Sequence, residues 1–564
     1  MYYIFDDSTV TAPFALGGGV PGFPGVTPTR AQQGVLSNVK VLGPTAVNEA
    51  RLSFTRMATI TNQVVNGRDV KLSDLGFIEN TGLGIFPYPQ FEGVPQLSFN
   101  NFAAGNNAVR TQYGAAYAQN SFRIKPNLTL NFGLRWEASM PWYDTEDKIE
   151  TLAPGVQSTQ FPTAPKGWLV PGDPGIPRTL APTDYKEFSP RLGLAYSPGH
   201  LRTAIRPGAK RLLHQNRLRS HPILAVRRIF IFPTPGSPAN KTLDYSIFLP
   251  IGGSPGYWYK NRQPYSEHYN LTIQRALNSS TVMTLAYVGS EGHRLLTNVE
   301  SNPGDRNLCL SLRGSGVKAG TAQCGPNGEN GTYTRPDGSQ VFGTRGPFGN
   351  DFTSNSYQIN IGNSVYNSAQ ATIERKAADF TFVGAYTFSK SMDDSSAYGQ
   401  KANFTNYRLS RSLSSFDVTH NFVFSYYYAA PLDRALPMLP RRLTQGWSIG
   451  GIMRFATGFP VSISQSGDRS LVGSSGTDVP NYVGPLVTYD PRTAAANGQH
   501  LYFSKAGFVS GPLGDFGNSN RRFFHGPGFN NWDVSLHKDT RITERMDLQF
   551  RAEFFNVMKP RPVQ

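Results

Sequence analysis

The chain has 564 residues and a formal net charge of +16; 12% of its residues are aromatic and only 16% are charged. So many aromatic residues exclude a fully disordered chain, and the 57 glycines and 42 prolines favour strands joined by turns and loops over a helical protein. No segment approaches the roughly 18–20 consecutive apolar residues of a transmembrane helix. Transmembrane strands of about 9–11 alternating residues would escape such a search.

Alternation of apolar and polar residues predicts about a dozen β-strands along the chain. In NLTLNFGLRWE (127–137), for example, Leu128, Phe132 and Trp136 fall on one side, whereas Asn131 and Arg135 fall on the other. The predicted strands lie near residues 46–58, 112–124, 127–137, 190–198, 266–277, 280–289, 365–376, 379–390, 420–431, 446–458, 531–539 and 547–558.

Two features favour lipid over a protein core as the partner of the apolar faces. Aromatic residues stand at the ends of several faces, as in an interfacial girdle, although aromatic residues favour strands in general. Short joints at 125–127 and 376–379 alternate with long connections at 140–188, 290–362 and 457–528. A soluble sandwich rarely carries so many long loops, whereas a membrane barrel has short turns at one rim and long loops at the other.

We therefore predict an all-β fold, a transmembrane antiparallel β-barrel with long extracellular loops. The alternative is a secreted or surface β-rich binding or adhesion protein in which the apolar faces pack against each other. In either fold, charged residues on the polar faces need water or a partner. The candidate lumen-facing residues are Arg135, Glu374, Arg454, Arg551 and Glu553. In a barrel they would contact a plug, line a solute path or simply hydrate the interior.

The basic charge does not indicate a nucleic-acid partner. Eight basic residues and no acidic residue lie between Arg202 and Arg228, and the rest of the excess is scattered. A nucleic-acid footprint would cluster on one face and carry a recognisable motif. We expect no nucleic-acid partner.

The sequence indicates no catalytic or cofactor site. GGGVPG (17–22) and GGSPG (252–256) satisfy short nucleotide-binding and nucleophile patterns, but we expect both in Gly/Pro loops. The nine histidines show no paired metal spacing. Asp393 and Asp394 are expected in a solvated loop, with a weak calcium site as the alternative. We predict no enzyme and no cofactor.

The two cysteines, Cys309 and Cys324, lie in one Gly/Asn-rich loop. Two cysteines without a His-rich neighbour make a poor zinc site. In an oxidising compartment they would close a small disulfide loop, and the alternative of two unrelated thiols remains open.

Several segments together carry a family resemblance. They are YGAAYAQNSFRIKPNLTLNFGLRWE, FSPRLGLAYSP, YNLTIQRALNSSTVMTLAYVGSEGHRL, YNSAQATIERKAADFTFVGAYTFSKSMDD, FDVTHNFVFSYYYAAPL, GWSIGGIMRFATGFPVSI and DLQFRAEFFNVM. In order and spacing they resemble TonB-dependent outer-membrane receptors, in particular the Oar-like acidobacterial kind with a carboxypeptidase-regulatory-like domain.

The resemblance implies a location, a function and partners. It implies a barrel of about 22 strands around a plug in the bacterial outer membrane, importing a bulky solute that is carbohydrate-like or oligomeric and that the sequence does not identify. The implied partners are outer-membrane lipid and lipopolysaccharide, the plug domain, TonB and an unidentified solute. Residues 1–564 contain no segment that resembles a signal or a plug, and we expect the family's last strand to be missing after MKPRPVQ. We expect residues 1–564 to be the barrel region, truncated at both ends, incomplete, and incompetent for active transport without its plug.

One window departs from the resemblance. After LRTAIR (201–206) the family pattern continues into a Gly- and Tyr-rich strand, but here an Arg-laden stretch without strand periodicity follows. A one-base shift in a codon choice for residues 212–217 would read Tyr-Tyr-Thr-Lys-Thr-Ala. We hypothesise that 207–240 is a frameshifted, aberrant segment that forms a loop or is disordered; the alternative is a basic patch that binds anionic lipid or lipopolysaccharide.

Overall fold

The computed structural model describes residues 1–14, 21–63, 107–145, 147, 149–199, 203–213, 249–251, 256–377, 379–397, 400–474, 477–493, 498–543 and 545–558. The first thirteen strands in these ranges are β1 (Tyr2–Phe14), β2 (Pro21–Val41), β3 (Ala46–Gln63), β4 (Asn107–Lys125), β5 (Leu128–Ser139), β6 (Tyr143–Asp144), β7 (Thr151–Leu152), β8 (Trp168–Leu169), β9 (Asp184–Tyr196), β10 (Thr203–Leu213), β11 (Gly256–Tyr257), β12 (Tyr265–Ala276) and β13 (Thr281–Glu300).

The remaining strands are β14 (Lys318–Ala319), β15 (Ala322–Gln323), β16 (Thr332–Thr334), β17 (Gln340–Phe342), β18 (Ser356–Lys376), β19 (Phe380–Asp393), β20 (Lys401–Ala402), β21 (Ser412–Leu413), β22 (His420–Ala430), β23 (Trp447–Ala456), β24 (Asn481–Tyr482), β25 (Phe508–Val509), β26 (Phe529–Thr543) and β27 (Met546–Phe554). The helices are α1 (Arg306–Gly314), α2 (Leu432–Ala435) and α3 (Arg441–Thr444), with 3-10 turns at Gly349–Asp351, Tyr407–Ser410 and Lys505–Gly507. None of the helices in the described ranges has both the length and the apolar composition needed to cross a membrane.

One large sheet organises the chain. Its long strands pair antiparallel with their neighbours in the chain, in the order β1-β2-β3-β4-β5-β9-β10-β12-β13-β18-β19-β22-β23-β26-β27. This up-and-down order is the arrangement of a transmembrane barrel. The predicted all-β antiparallel architecture is confirmed.

The two faces of the sheet differ as the alternation predicts. On β5, Phe132 is 44% and Leu134 is 50% exposed, whereas Glu137 is 8% exposed. Phe132 stands opposite Leu192 of β9 in the ladder, so the apolar face continues from strand to strand. Exposed apolar side chains fit contact with lipid and not the sheet-on-sheet core of the alternative interpretation.

The two rims of the sheet also differ as expected. Two residues join β4 to β5 and three join β18 to β19, in agreement with the predicted joints. At the same rim the β22–β23 connection is longer and contains α2 and α3. The long connections leave from the other rim. We call their described residues the loop layer: 140–183, 249–264, 301–355, 394–419 and 457–528.

The sequence did not predict strands β1, β2 and β10. The prolines Pro24 and Pro28 suggested a loop, but β2 runs through both. Proline lacks the N–H that a ladder requires, and the pairing of β2 with β3 is interrupted at Thr27 and Pro28 and continues on either side. The expectation of a Gly/Pro loop at 17–22 was therefore wrong for Pro21 and Gly22, with which β2 begins, and residues 17–20 lie outside the described ranges.

The predicted loop at 207–240 was wrong in its first seven residues. Residues 207–213 complete β10, which pairs with β12 along its whole length. The ladder bonds are made by backbone groups, so an Arg-rich sequence can still form a strand. Between Ile205 and Lys210, only Arg206 and Pro207 lack a partner on β9, as expected next to a proline without an N–H. Residues 214–240 lie outside the described ranges, so the frameshift hypothesis stays a prediction.

The two outermost long strands have one neighbour each among the described residues. β1 pairs with β2, and β27 pairs with β26. Because fifteen strands alternate in direction, β1 and β27 run the same way. Antiparallel closure of this sheet would therefore require an odd number of further strands between them.

Candidate functional site

A network of charged and phenolic side chains covers the polar face of β3, β4 and β5. We call it the wall network; its members are Glu49, Arg51, Tyr113, Tyr117, Arg135 and Glu137. The ladder places Tyr117 between Arg51 and Arg135, so the three side chains share one face. The guanidinium carbons of Arg51 and Arg135 lie 5.5 Å and 6.0 Å from the centre of the Tyr117 ring.

Hydrogen bonds join the wall network across the strands. Arg135 Nε donates to Glu137 Oε1 at 2.8 Å, and Arg135 Nη2 donates to the Tyr113 hydroxyl at 2.5 Å. The Tyr113 hydroxyl in turn donates to Glu137. Tyr117 donates to Glu49 Oε1 at 2.6 Å. The wall network thus presents a rigid, charged surface with few free rotamers.

The other four candidate lumen-facing residues lie on the same face of the sheet, on distant strands. Glu374 pairs with Lys376 at 2.7 Å, and Arg551 pairs with Glu553 at 3.4 Å. Arg454 Nε donates to Asn421 at 2.9 Å, and its guanidinium lies over a phenyl ring. The structure brings Arg551 and Glu553 together and leaves the rest apart. Whether they face a plug or a solute stays a prediction.

Arg135→Ala should destabilise the sheet by about 1–3 kcal/mol, because Glu137 would keep its buried position and lose its cation. Arg551→Ala is the matched control on the same face: its pair with Glu553 is exposed, and we expect a loss of about 0–1 kcal/mol. Urea unfolding of the full chain in lipid vesicles measures both. Equal losses for the two variants would show that the wall network adds nothing beyond an exposed pair.

The loop layer is folded, with apolar clusters that join separate connections. One cluster brings Leu152 and Trp168 of the first long connection against Ile251 and Phe352 of two others. Another packs Cys309 and Cys324 against Leu471 of the last connection. Distant parts of the chain therefore hold one another in place above the sheet.

Cys309 and Cys324 form a disulfide in the second of these clusters, with their Cα atoms 5.4 Å apart. The bond joins α1 to the segment before β16, and both cysteines are buried. A buried ion pair lies nearby in the chain, where Arg345 Nη2 contacts Glu329 Oε1 at 2.8 Å. Burial lowers the pKa of Arg345, and the Glu329 carboxylate opposes that shift.

A second buried ion cluster joins the connection 394–419 to the connection 457–528. We call it the Asp393 cluster; it contains Asp393, Ser396, Gln400, Arg521 and Arg522. Arg521 Nη2 lies 3.2 Å and Arg522 Nη2 lies 3.7 Å from Asp393 Oδ1. Asp393 is 3% and Arg522 is 2% exposed.

Both arginines of the Asp393 cluster also donate hydrogen bonds to uncharged side chains. Arg522 Nη2 donates to Ser396 Oγ at 2.7 Å, and Arg521 Nη1 donates to Gln400 Oε1 at 2.8 Å. Burial lowers the pKa of Arg521 and of Arg522, while the Asp393 carboxylate opposes the shift. A histidine contact adds to the same junction, with His525 Nε2 2.8 Å from Asp417 Oδ2.

The expectation of a solvated loop at Asp393 and Asp394 was wrong. Both carboxylates are buried, and Asp394 accepts a hydrogen bond from the backbone N–H of Asn363. The sequence signal was the Arg521–Arg522 pair, but 128 residues separate Asp393 from Arg521 and only the fold joins them. Within the described ranges, no group of three or more His, Cys, Asp or Glu residues is placed to hold a metal ion. GGSPG falls outside those ranges at 252–255.

The chain is similar in fold to several solved proteins. They are the outer membrane transporter YddB from Escherichia coli (10% identity, 99% of this chain and 55% of that chain, TM-score 0.47), the siderophore receptor PirA from Acinetobacter baumannii (9%, 99% and 55%, 0.46) and the ferripyoverdine receptor of Pseudomonas aeruginosa (12%, 99% and 49%, 0.41). The chain spans about half the length of these proteins. It has no significant match among curated protein sequences.

A family model settles the broader assignment. The model described as outer membrane beta barrel domain matches residues 1–113 and 100–559, which together span nearly the whole chain. The predicted location in the bacterial outer membrane is confirmed by this match and agrees with the exposed apolar face of the sheet. The chain belongs to the outer membrane β-barrel domain family.

Proposed function

We propose that this chain is the barrel part of an Oar-like, TonB-dependent receptor that binds a bulky solute in its loop layer. The observation that supports this proposal most strongly is that the loop layer is folded and held together by many contacts. Two buried ion clusters, a disulfide and shared apolar clusters hold long connections from different parts of the chain in fixed positions. Such a preorganised surface reduces the entropy that a ligand must overcome on binding.

The polar face has a separate role in this proposal. The wall network would contact a plug domain or line the solute path, because a charged face that avoids lipid needs water or a partner. TonB and the plug would supply the energy coupling, so this chain by itself would bind solute and not pump it. No catalytic role is part of the proposal.

Solute uptake by cells carrying and lacking the gene tests the proposal. We expect deletion to abolish energy-dependent uptake of one solute class, and a strain without TonB to show the same defect. A carbohydrate-like oligomer is the first class to supply. Ferric siderophores are the second class to supply, because the similar solved proteins include a siderophore receptor and a ferripyoverdine receptor. Uptake of every supplied solute at wild-type rates in both strains would contradict a transport function.

The outer-membrane partners follow from the location. Lipid should contact the apolar face, and lipopolysaccharide should surround the rim that carries the loop layer, because long loops face outward in bacterial barrels. For residues 207–240, resequencing the gene tests the proposed frameshift. One base that restores a Tyr-rich strand supports it, and an unchanged reading favours the basic patch.

A further inference from the structure

An open groove lies on the apolar face where β22, β23 and β26 meet the loop layer. Its volume is about 420 Å³, within the range of small-ligand sites. Its lining includes Tyr386, His420, Phe422, Phe455 and Asn530.

The floor of the groove is a row of side chains that crosses four strands. In the ladder, Tyr386 stands opposite Phe422, Phe422 opposite Phe455, and Phe455 opposite Asn530. The Phe422 and Phe455 rings are stacked with centres 6.4 Å apart. The row belongs to the exposed apolar face, so the groove is continuous with the surface that contacts lipid.

The end of the groove nearest the loop layer is polar, and a lysine lies beside it on the same face. His420 Nδ1 lies 2.7 Å from the Tyr386 hydroxyl, and the His420 ring lies beside Phe388, its partner in the ladder. Lys390 is two residues beyond Phe388 on the same face and is exposed. Diagonal neighbours of this kind are about 7–8 Å apart. Among the described residues, Lys390 has no acidic partner within ion-pair distance.

We propose that this groove binds one lipopolysaccharide molecule of the outer leaflet. The acyl chains would lie across Phe422 and Phe455, and a phosphate of the headgroup would contact Lys390 and His420. The order of aromatic floor, ring hydroxyl and ammonium along the strands matches the order of acyl chain, sugar and phosphate in such a lipid. The proposal rests on the orientation of the barrel and not on the identity of the imported solute.

Native mass spectrometry of the full-length protein from outer membranes tests the site. The probes are rough lipopolysaccharide and phosphatidylethanolamine, added back to delipidated protein. We expect wild type to retain one lipopolysaccharide. Lys390→Gln with His420→Gln should weaken that binding about tenfold through the lost charge-assisted hydrogen bonds. Phe422→Ala with Phe455→Ala should weaken it as well.

The matched control is Phe132→Ala with Leu134→Ala, which removes exposed apolar side chains from β5, away from the groove. Equal loss of lipopolysaccharide in this control and in the groove variants would overturn the proposal. Preferred retention of phosphatidylethanolamine would overturn it too. If Phe422→Ala with Phe455→Ala does not fold, Lys390→Gln with His420→Gln alone tests the proposal, because the Lys390 and His420 side chains are exposed and their replacement should not disturb folding. Solute uptake is a separate readout, so failure here leaves the transport proposal untouched.

Discussion

Asp393→Ala should lower the free energy of unfolding of the loop layer by about 3–5 kcal/mol, the largest single-residue effect that we expect in this chain. The substitution leaves Arg521 and Arg522 buried and side by side without the carboxylate that contacts both of them. Two like charges in a site of low dielectric repel each other, and neither can return to water without separating the connections 394–419 and 457–528.

Hydrogen exchange of the full chain in detergent micelles measures this effect. The Leu413 amide donates to the Arg522 carbonyl across the junction and should be a sensitive reporter. A loss of this size should speed its exchange by about two to four orders of magnitude if opening is local. Unchanged exchange at Leu413 would contradict the role assigned to Asp393.

Two controls separate charge burial from general damage. Asp490→Ala removes a carboxylate that contacts Arg492 at 2.6 Å on an exposed part of the same connection, and we expect little change. Asp393→Leu combined with Arg521→Met and Arg522→Met removes all three charges together. That variant should be far less destabilised than Asp393→Ala, because an apolar replacement leaves no charge unpaired.

Removal of the disulfide should destabilise the connection 301–355 by about 3 kcal/mol, as expected for a closed loop of this size. Cys309 and Cys324 are 15 residues apart, and their bond restricts in the unfolded state a loop that contains most of α1 together with β14 and β15. The loss should reach the last long connection, because Leu471 packs in the same apolar cluster.

Limited proteolysis of Cys309→Ser with Cys324→Ser checks this prediction. We expect new cleavage between residues 306 and 334 and, more weakly, near Leu471. A thiol reductant should produce the same pattern in wild type and leave the double variant unchanged. A wild-type pattern that does not respond to reductant would show that the bond does not hold this connection.

Local periodicity was enough to predict most of the long strands of the sheet. The alternation of Asn131, Phe132, Gly133 and Leu134 assigns each side chain to a face without knowledge of the rest of the chain. The same rule could have found Glu137 as the partner of Arg135, since residues two apart share a face. It failed for β2, where Pro24 and Pro28 outweighed the strand pattern although pairing continues on either side of them.

The loop layer could not be predicted, because its contacts join residues far apart in the chain. Asp393 was predicted to be solvated because the arginines that pair with it, Arg521 and Arg522, lie about 128 residues further along the chain. In the same way, the packing of Leu471 against the disulfide requires two connections to meet. No local pattern encodes such a meeting, and a buried acidic residue cannot be told from an exposed one by its neighbours in sequence.

The face assignment of β5 is the central claim, and spin labels at Thr129, Asn131, Phe132 and Leu134 test it most directly. Each label would be placed in the full chain, in a background without the two native cysteines, reconstituted in lipid vesicles. The account predicts that labels at 132 and 134 are relaxed mainly by oxygen, which dissolves in lipid, and labels at 129 and 131 mainly by a water-soluble nickel complex. Four labels with the same accessibility, or labels at 132 and 134 shielded from both reagents, would contradict a lipid-facing apolar surface.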